Sequence, residues 1–148
     1  RVRFKEAHTL KGAQEERELA KMLMEDGFAT MRSPASGSKA SYPLPDLVAG
    51  SSYRGLYYAF QVKSTKRSRV YIPRESIDQL VEFSQRFGCQ PIVALKFKRT
   101  RRPWIFLWPN QLKTTPSHNY KTTIKECLKS GMDFKTLIGD GEQKKLVE

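Results

Sequence analysis

The sequence predicts a mixed α/β layer fold, and three observations carry that expectation. Two stretches, 11–26 and 74–87, repeat apolar residues at helical spacing. Short runs rich in aromatic and β-branched residues lie between and after them, as strands require. The resulting order of helix, strands, helix, strands fits one layered core in a chain of 148 residues.

Residues 1–10 are basic and lack a period, so a basic N-terminal arm is expected ahead of a single domain over 11–148. At about 100° per residue, Ala13, Leu19, Ala20, Leu23 and Met24 fall in one apolar arc, and Gly27 supplies the residue that ends such a helix. Glu16 projects onto the middle of that arc, while Glu15, Arg17 and Glu18 lie at its edges or opposite. An inward carboxylate is costly unless it meets a cation or a metal.

Residues 28–32 suit a short strand. Residues 33–45 gather Ser33, Ser36, Gly37, Ser38 and Ser41 with three prolines around Lys39, a loop composition. Residues 46–50 and 57–63 read as two strands joined through 51–56. If the turn centres between Tyr53 and Arg54, facing residues carry numbers that sum to 107. Asp46 then faces Gln61, and Lys63 shares their face because strand side chains alternate.

An edge strand is expected over 70–72. A second amphipathic helix over 74–87 turns Ile77, Leu80, Val81, Ser84 and Phe87 inward, with Gly88 ending it. Strands follow over 91–97 and 104–108, and the intervening turn carries Lys98, Arg99, Arg101 and Arg102. Beyond Pro109 the pattern weakens to a loop, a helix around 124–129 and another after Met132. Tyr57, Tyr58, Phe60, Trp104, Phe106 and Trp108 are expected in the core or a dimer interface before any base stacking. His8 and His118 lie outside every motif.

Lys and Arg number 27 against 15 Asp and Glu, and a net charge of +12 draws polyanions, nucleic acid first among them. No amphipathic Lys-rich helix or lipidation motif points to a membrane surface. Cys89 and Cys127 are the only cysteines and neither spacing suits a metal site. With no secretory signal or apolar spanning run, a reducing, cytoplasmic or nucleoid-associated setting is expected. The opening at Arg1 is read as a trimmed N-terminus.

Chemistry concentrates in Pro45-Asp46 and in Gln61-Val62-Lys63. Cleaving a phosphodiester with a hard cation needs oxygen ligands and a positive group near the attacked phosphate. This pair of segments nearly supplies both, with an amide where a third carboxylate would stand. Taken alone, such short strings also describe an ordinary hairpin with solvated polar ends; an inward Glu16 favours the site.

The run Lys11-Gly12-Ala13-Gln14-Glu15-Glu16-Arg17-Glu18-Leu19 resembles the first motif of archaeal-type Holliday junction resolvases, the Hjc group. Gly27-Phe28, Arg32-Ser33, the segment from Pro45 to Gly50, and Gln61-Val62-Lys63 follow in that family's order and spacing. The stretches 77–88 and 91–97 resemble its second helix and the next strand. The likeness covers about 11–108, leaving 109–148 divergent.

That resemblance implies a restriction-endonuclease-like PD-(D/E)XK core, a central mixed β-sheet flanked by helices, in a two-fold homodimer that cuts four-way DNA junctions. It implies Glu16, Asp46, Gln61 and Lys63 as the catalytic group, and Glu16, Asp46, Gln61 and Val62 as the set around Mg²⁺, with Mn²⁺ as a substitute and no small-molecule cofactor. Asp46 would bind metal directly, and Glu16 would bind a metal or orient its water. Lys63 would stabilise charge on the phosphate or position the nucleophile. Arg17 and Arg32 match basic positions of the motif and would touch phosphate, unless they pair with Glu15, Glu18 or Glu25. Ser36 and Lys39 would order on the crossover strands. Lys66, Arg67 and Arg69 continue a basic track out of the site, and Lys96, Lys98, Arg99, Arg101 and Arg102 form a second cluster.

Gln61 departs from the family's usual Glu, either as a native variant or as an inactivating substitution. Its carbonyl oxygen can ligate a hard cation but brings no charge. Three functions remain open on sequence: a junction-resolving nuclease (or another nuclease of this fold on branched or linear DNA), a junction-binding protein with little catalysis, and a basic RNA-binding module. The last leaves Glu16 and Asp46 unexplained.

Overall fold

The computed structural model describes the backbone of residues 2–34, 42–98 and 104–140, with side chains from Ala13 onward. Helix α1 (Val2–Glu25) leads through β1 (Ala29–Arg32) to a hairpin of β2 (Leu47–Ser51) and β3 (Leu56–Thr65). Next come β4 (Arg69–Ile72), α2 (Arg74–Phe87), β5 (Gln90–Phe97) and β6 (Trp104–Leu107). A 3-10 turn at Pro109–Gln111 precedes β7 (Lys113–Thr114), β8 (Tyr120–Thr123), α3 (Ile124–Ser130) and α4 (Phe134–Leu137).

Strands β1-β2-β3-β5-β6 form a mixed sheet in that order, with β3 and β5 parallel and the other neighbours antiparallel. A parallel pair needs a long crossover, which β4 and α2 provide. Side-chain alternation gives the sheet two apolar faces. Leu47, Phe60, Ile92 and Phe106 pack with Leu19 and Leu23 of α1 on one side. Ala59, Val93 and Leu95 pack with Ile77 and Leu80 of α2 on the other. Leu19 and Leu23 are fully buried, each worth about 1.5–3 kcal/mol of transfer free energy.

Helix α2 keeps its expected bounds because Gly88 adopts φ 88° and donates its N–H to Ser84 O at 2.9 Å. Three expectations fail locally. The N-terminal arm is helical in backbone, since α1 starts at Val2 and not at residue 11. Met24, at the border of the arc, is 53% exposed. Phe87, in the last turn of α2, is 64% exposed and stacks on Phe83 at 5.1 Å instead of entering the core.

The edge strand expected at 70–72 forms, but in a second sheet of order β4-β8-β7. Its Val70, Ile72 and Thr122 point inward and are buried. Strands β7 and β8 were not anticipated, because Lys, Thr and Tyr at these positions give no apolar run. The later segments join the main sheet through polar anchors. Tyr58 Oη donates to Leu137 O at 2.7 Å, and Arg54 donates to Asp26 O at 3.2 Å, Ile138 O at 2.8 Å and the Asp140 carboxylate at 2.7 Å. No described helix is long and apolar enough to cross a membrane.

Candidate active site

The hairpin register sets the site. Leu47 pairs with Phe60, Val48 with Ala59 and Ser51 with Leu56, so facing numbers do sum to 107. Asp46 lies one step beyond the paired strands, and its N–H donates to Phe60 O at 2.8 Å, so its backbone bonds Phe60, the partner of Leu47, and not the expected Gln61. Strand β2 ends there while β3 runs on to Thr65. The uncovered Val62 N–H is taken by Asp46 Oδ2 at 2.8 Å. The carboxylate therefore sits in a notch at the sheet's edge. A strand residue directs its N–H and C=O to the same side, so the Val62 carbonyl opens on the notch too.

Three elements close around it. Arg32 at the end of β1 donates Nε to Glu16 Oε1 at 3.2 Å, holding the half-buried α1 carboxylate. Ser33 donates its N–H to Asp46 O at 3.1 Å and its hydroxyl to Pro45 O. On β3, Phe60 and Val62 enter the α1-side core and Ala59 the α2-side core. By alternation Gln61 and Lys63 project on the Ala59 side, and both are partly exposed. No described residue accepts from or donates to the Gln61 amide, and no described carboxylate oxygen lies within 4.0 Å of the Lys63 ammonium.

Burial pushes the Glu16 carboxyl above its ordinary range, and the Asp46 charge adds to this, while the Arg32 hydrogen bond and the Arg32 and Arg17 charges oppose it. Burial also raises Asp46, against the Val62 N–H, Lys63 and Arg32. Glu16 thus feels the Asp46 charge, and at both acids burial outweighs the cations and donors around them. That is the electrostatic state a divalent cation relieves.

The donor set suits such an ion. Glu16 and Asp46 bring two carboxylates to the notch, and the Val62 carbonyl and the Gln61 amide, on the Ala59 side of β3, would add further oxygen ligands, the preference of Mg²⁺ and its relatives. Among the described residues no group of three His, Cys, Asp or Glu converges. An amide at position 61 leaves the notch with two acids.

The remaining expected contacts divide. Arg17, Lys66, Arg67 and Arg69 are exposed. Arg32 is committed to Glu16, a partner not foreseen for it. Ser36, Lys39, Arg99, Arg101 and Arg102 lie outside the described residues. Lys96 and Lys98 are not a free basic cluster. Lys96 Nζ bonds both Glu18 oxygens at 2.5 and 2.6 Å, beneath the Trp104 ring, and Lys98 pairs with Glu15 at 3.5 Å. Glu15, expected at the arc's edge, is 5% exposed. These two rungs dock α1 on β5 and fix the height of Glu16. Their one trace in the sequence is spacing, acids three apart on a helix and lysines two apart at a strand's end, which names no partner.

A family model described as archaeal Holliday junction resolvase (Hjc) matches residues 7–146. The chain belongs to this family. The crossover junction endodeoxyribonuclease Hjc of Methanocaldococcus jannaschii is 37% identical over 137 residues, covering 92% of each chain. That of Archaeoglobus fulgidus is 37% identical over 111 residues, covering 75% of this chain and 77% of its own. The 1.6 Å structure of Archaeoglobus fulgidus Hjc superposes with a TM-score of 0.75 at 32% identity, over 85% of this chain and 97% of that one. The fold is accordingly of the PD-(D/E)XK nuclease type, with its central mixed sheet flanked by helices. Resolvases of this family typically use a divalent metal, and the oxygen-lined notch is where this chain would hold one.

Proposed function

We propose that the chain is a structure-selective endodeoxyribonuclease that binds four-way DNA junctions and resolves them by paired, symmetric nicks with Mg²⁺, Mn²⁺ serving as a substitute. The observation that carries this reading is the notch, where burial raises the carboxyls of both Glu16 and Asp46 and the Asp46 charge adds to the rise at Glu16. A bound divalent cation supplies Lewis acidity to the phosphate and makes water a nucleophile near neutral pH. Asp46, held by the Val62 N–H, and Glu16, steadied by Arg32, would hold that cation through their carboxylate oxygens. Lys63 offers its ammonium to the phosphate oxygens as negative charge grows on them. In the hydrolysis a water oxygen bonds to phosphorus, one bridging oxygen leaves, and that oxygen takes a proton. Arg17, Lys66, Arg67 and Arg69 hold backbone phosphates, with Ser36 and Lys39 at the crossover strands. Such contacts position the DNA without reading bases, so junction shape selects the substrate. The enzyme works where chromosomal DNA lies, in the cytoplasm or nucleoid, without a small-molecule cofactor.

Paired nicks need two sites related as the strands are related, so the working form is a two-fold homodimer. An apolar surface supports this. Met31 (70% exposed), Tyr57 (46%) and Phe87 (64%) line one shallow groove over β1, β2 and the end of α2, and Tyr42 (71%) extends it past Phe83. Exposed large apolar side chains in one patch mark an interface, and β1 is an open sheet edge beside it.

The test is a synthetic four-way junction in Mg²⁺, with oligomeric state measured alongside. Symmetric paired nicks by a dimer support the reading, and Phe87→Glu should yield monomers that lose pairing. Cutting of linear duplex alone would overturn it. The second reading, junction binding with little catalysis, is favoured by the amide at position 61, which leaves Glu16 and Asp46 as the carboxylates that the described residues bring to the notch. It predicts junction affinity without nicking, and a large gain of nicking in Gln61→Glu.

A further inference from the structure

The second sheet has an outward face that the site does not use. Val70, Ile72 and Thr122 point inward, so Arg69, Tyr71 and Lys121 point outward. The register sets Tyr71 opposite Lys121 and Lys121 opposite Lys113, forming one row across β4, β8 and β7. Arg69 stands beside that row on β4, opposite Thr123. Tyr71 is 55% exposed. Lys113 is bonded to Glu126, but among the described residues no acid pairs with Arg69 or Lys121. Like charges set directly opposite each other oppose strand pairing, and Glu126 answers the Lys113 charge while leaving that of Lys121 outward.

The face also joins the notch without a break. Thr65 lies two residues past Lys63 and accepts the Arg67 N–H at 3.0 Å in the turn to β4. Lys66, Arg67 and Arg69 are exposed along that turn. From the ammonium of the site, positive charge thus runs onto the second sheet. Three strands about 4.8 Å apart make the row roughly 10 Å wide. A duplex carries one charge per about 1.7 Å of axis, so such a row meets more than one phosphate.

We propose that the outward face of β4-β8-β7 is a second DNA-contact surface that grips the phosphate backbone of a junction arm. Lys121 contacts a phosphate, and Tyr71 lays its ring along the sugars with its hydroxyl towards the backbone. Arg69 links this surface to the track from the notch. The proposal rests on the reading of the chain as a junction-binding nuclease.

The experiment measures junction affinity across a salt series for the full chain and for Lys121→Ala, Lys121→Arg and Tyr71→Ala, each first checked for an unchanged melting point. Loss of one phosphate contact makes the plot of log affinity against log salt shallower by about 0.9. Lys121→Ala should show that change and Lys121→Arg should keep the original slope. Tyr71→Ala should lower affinity roughly three- to tenfold, the scale of one aromatic contact. An unchanged slope in Lys121→Ala, while the unaltered chain binds the junction, removes this surface and leaves the nuclease reading standing. Loss of RNA binding alone would also overturn it, because the face would then serve another nucleic acid. Failure of the unaltered chain to bind any junction removes both.

Discussion

Replacing Gln61 with Glu should weaken the metal-free protein and strengthen the metal-bound one. The change is isosteric and adds a negative charge next to Val62, whose N–H donates to the Asp46 carboxylate at 2.8 Å. Diagonal cross-strand neighbours lie about 7–8 Å apart. Two carboxylates near 7 Å repel by roughly 2 kcal/mol at an effective dielectric constant of about 20. Position 61 is partly exposed, and solvent and salt lower this to about 1–2 kcal/mol. For a chain of this size the melting point in a chelator should fall by roughly 2–8 °C at neutral pH. With Mg²⁺ the added charge becomes a ligand, so the variant should gain more from metal than the parent. The Mg²⁺ concentration for half-maximal nicking should fall as well. Thermal melts in chelator and over a Mg²⁺ titration, with nicking rates on the same samples, read all three. If neither the melting point nor the metal dependence moves, position 61 does not face the notch.

Asp46 and Glu16 have folded-state pKa values above their ordinary ones, so their contribution to stability is fully present below about pH 4 and is lost as pH rises through the folded values. The metal-free protein should therefore lose stability across that window. Asp46→Asn, whose amide oxygen can still accept Val62 N–H, should flatten the profile, and an equally steep loss would contradict the assignment. Arg32 lowers the Glu16 pKa, so Arg32→Met should move the acidic limb of the nicking–pH profile upward, and an unmoved limb would separate Arg32 from Glu16. Removing the Lys96 partner by Glu18→Ala should cost about 1 kcal/mol in denaturant unfolding, as expected for a charge-assisted pair that is partly exposed. No measurable cost would mean that this rung does not anchor α1.

Much of the site was legible because it depends on local rules. A turn at Tyr53-Arg54 was enough to set the hairpin register from Leu47↔Phe60 to Ser51↔Leu56, though Asp46 bonds Phe60 and not Gln61, and the helical wheel was enough to turn Glu16 inward. The Gly88 cap ended α2 where expected. What escaped depends on neighbours that no local pattern names. The sequence could not show that Lys96 and Lys98 would meet Glu18 and Glu15 and not DNA, since both lysines look alike until α1 and β5 are docked. Neither the phosphate contact implied for Arg32 nor a pairing with Glu15, Glu18 or Glu25 names Glu16, which lies sixteen residues away on another element. The second sheet was invisible for a related reason. Its β7 and β8 bury little more than Thr122, so they carry no apolar run to announce them.

Crystals of the protein grown or soaked with Mn²⁺ offer the most direct test of the notch as a metal centre. The anomalous map should place an ion within about 2.0–2.6 Å of Asp46 Oδ and the Val62 carbonyl oxygen, close to the Glu16 carboxylate and the Gln61 amide oxygen. An ordered ion elsewhere on the molecule, with no density between Asp46 and Val62 at saturating Mn²⁺, would contradict it.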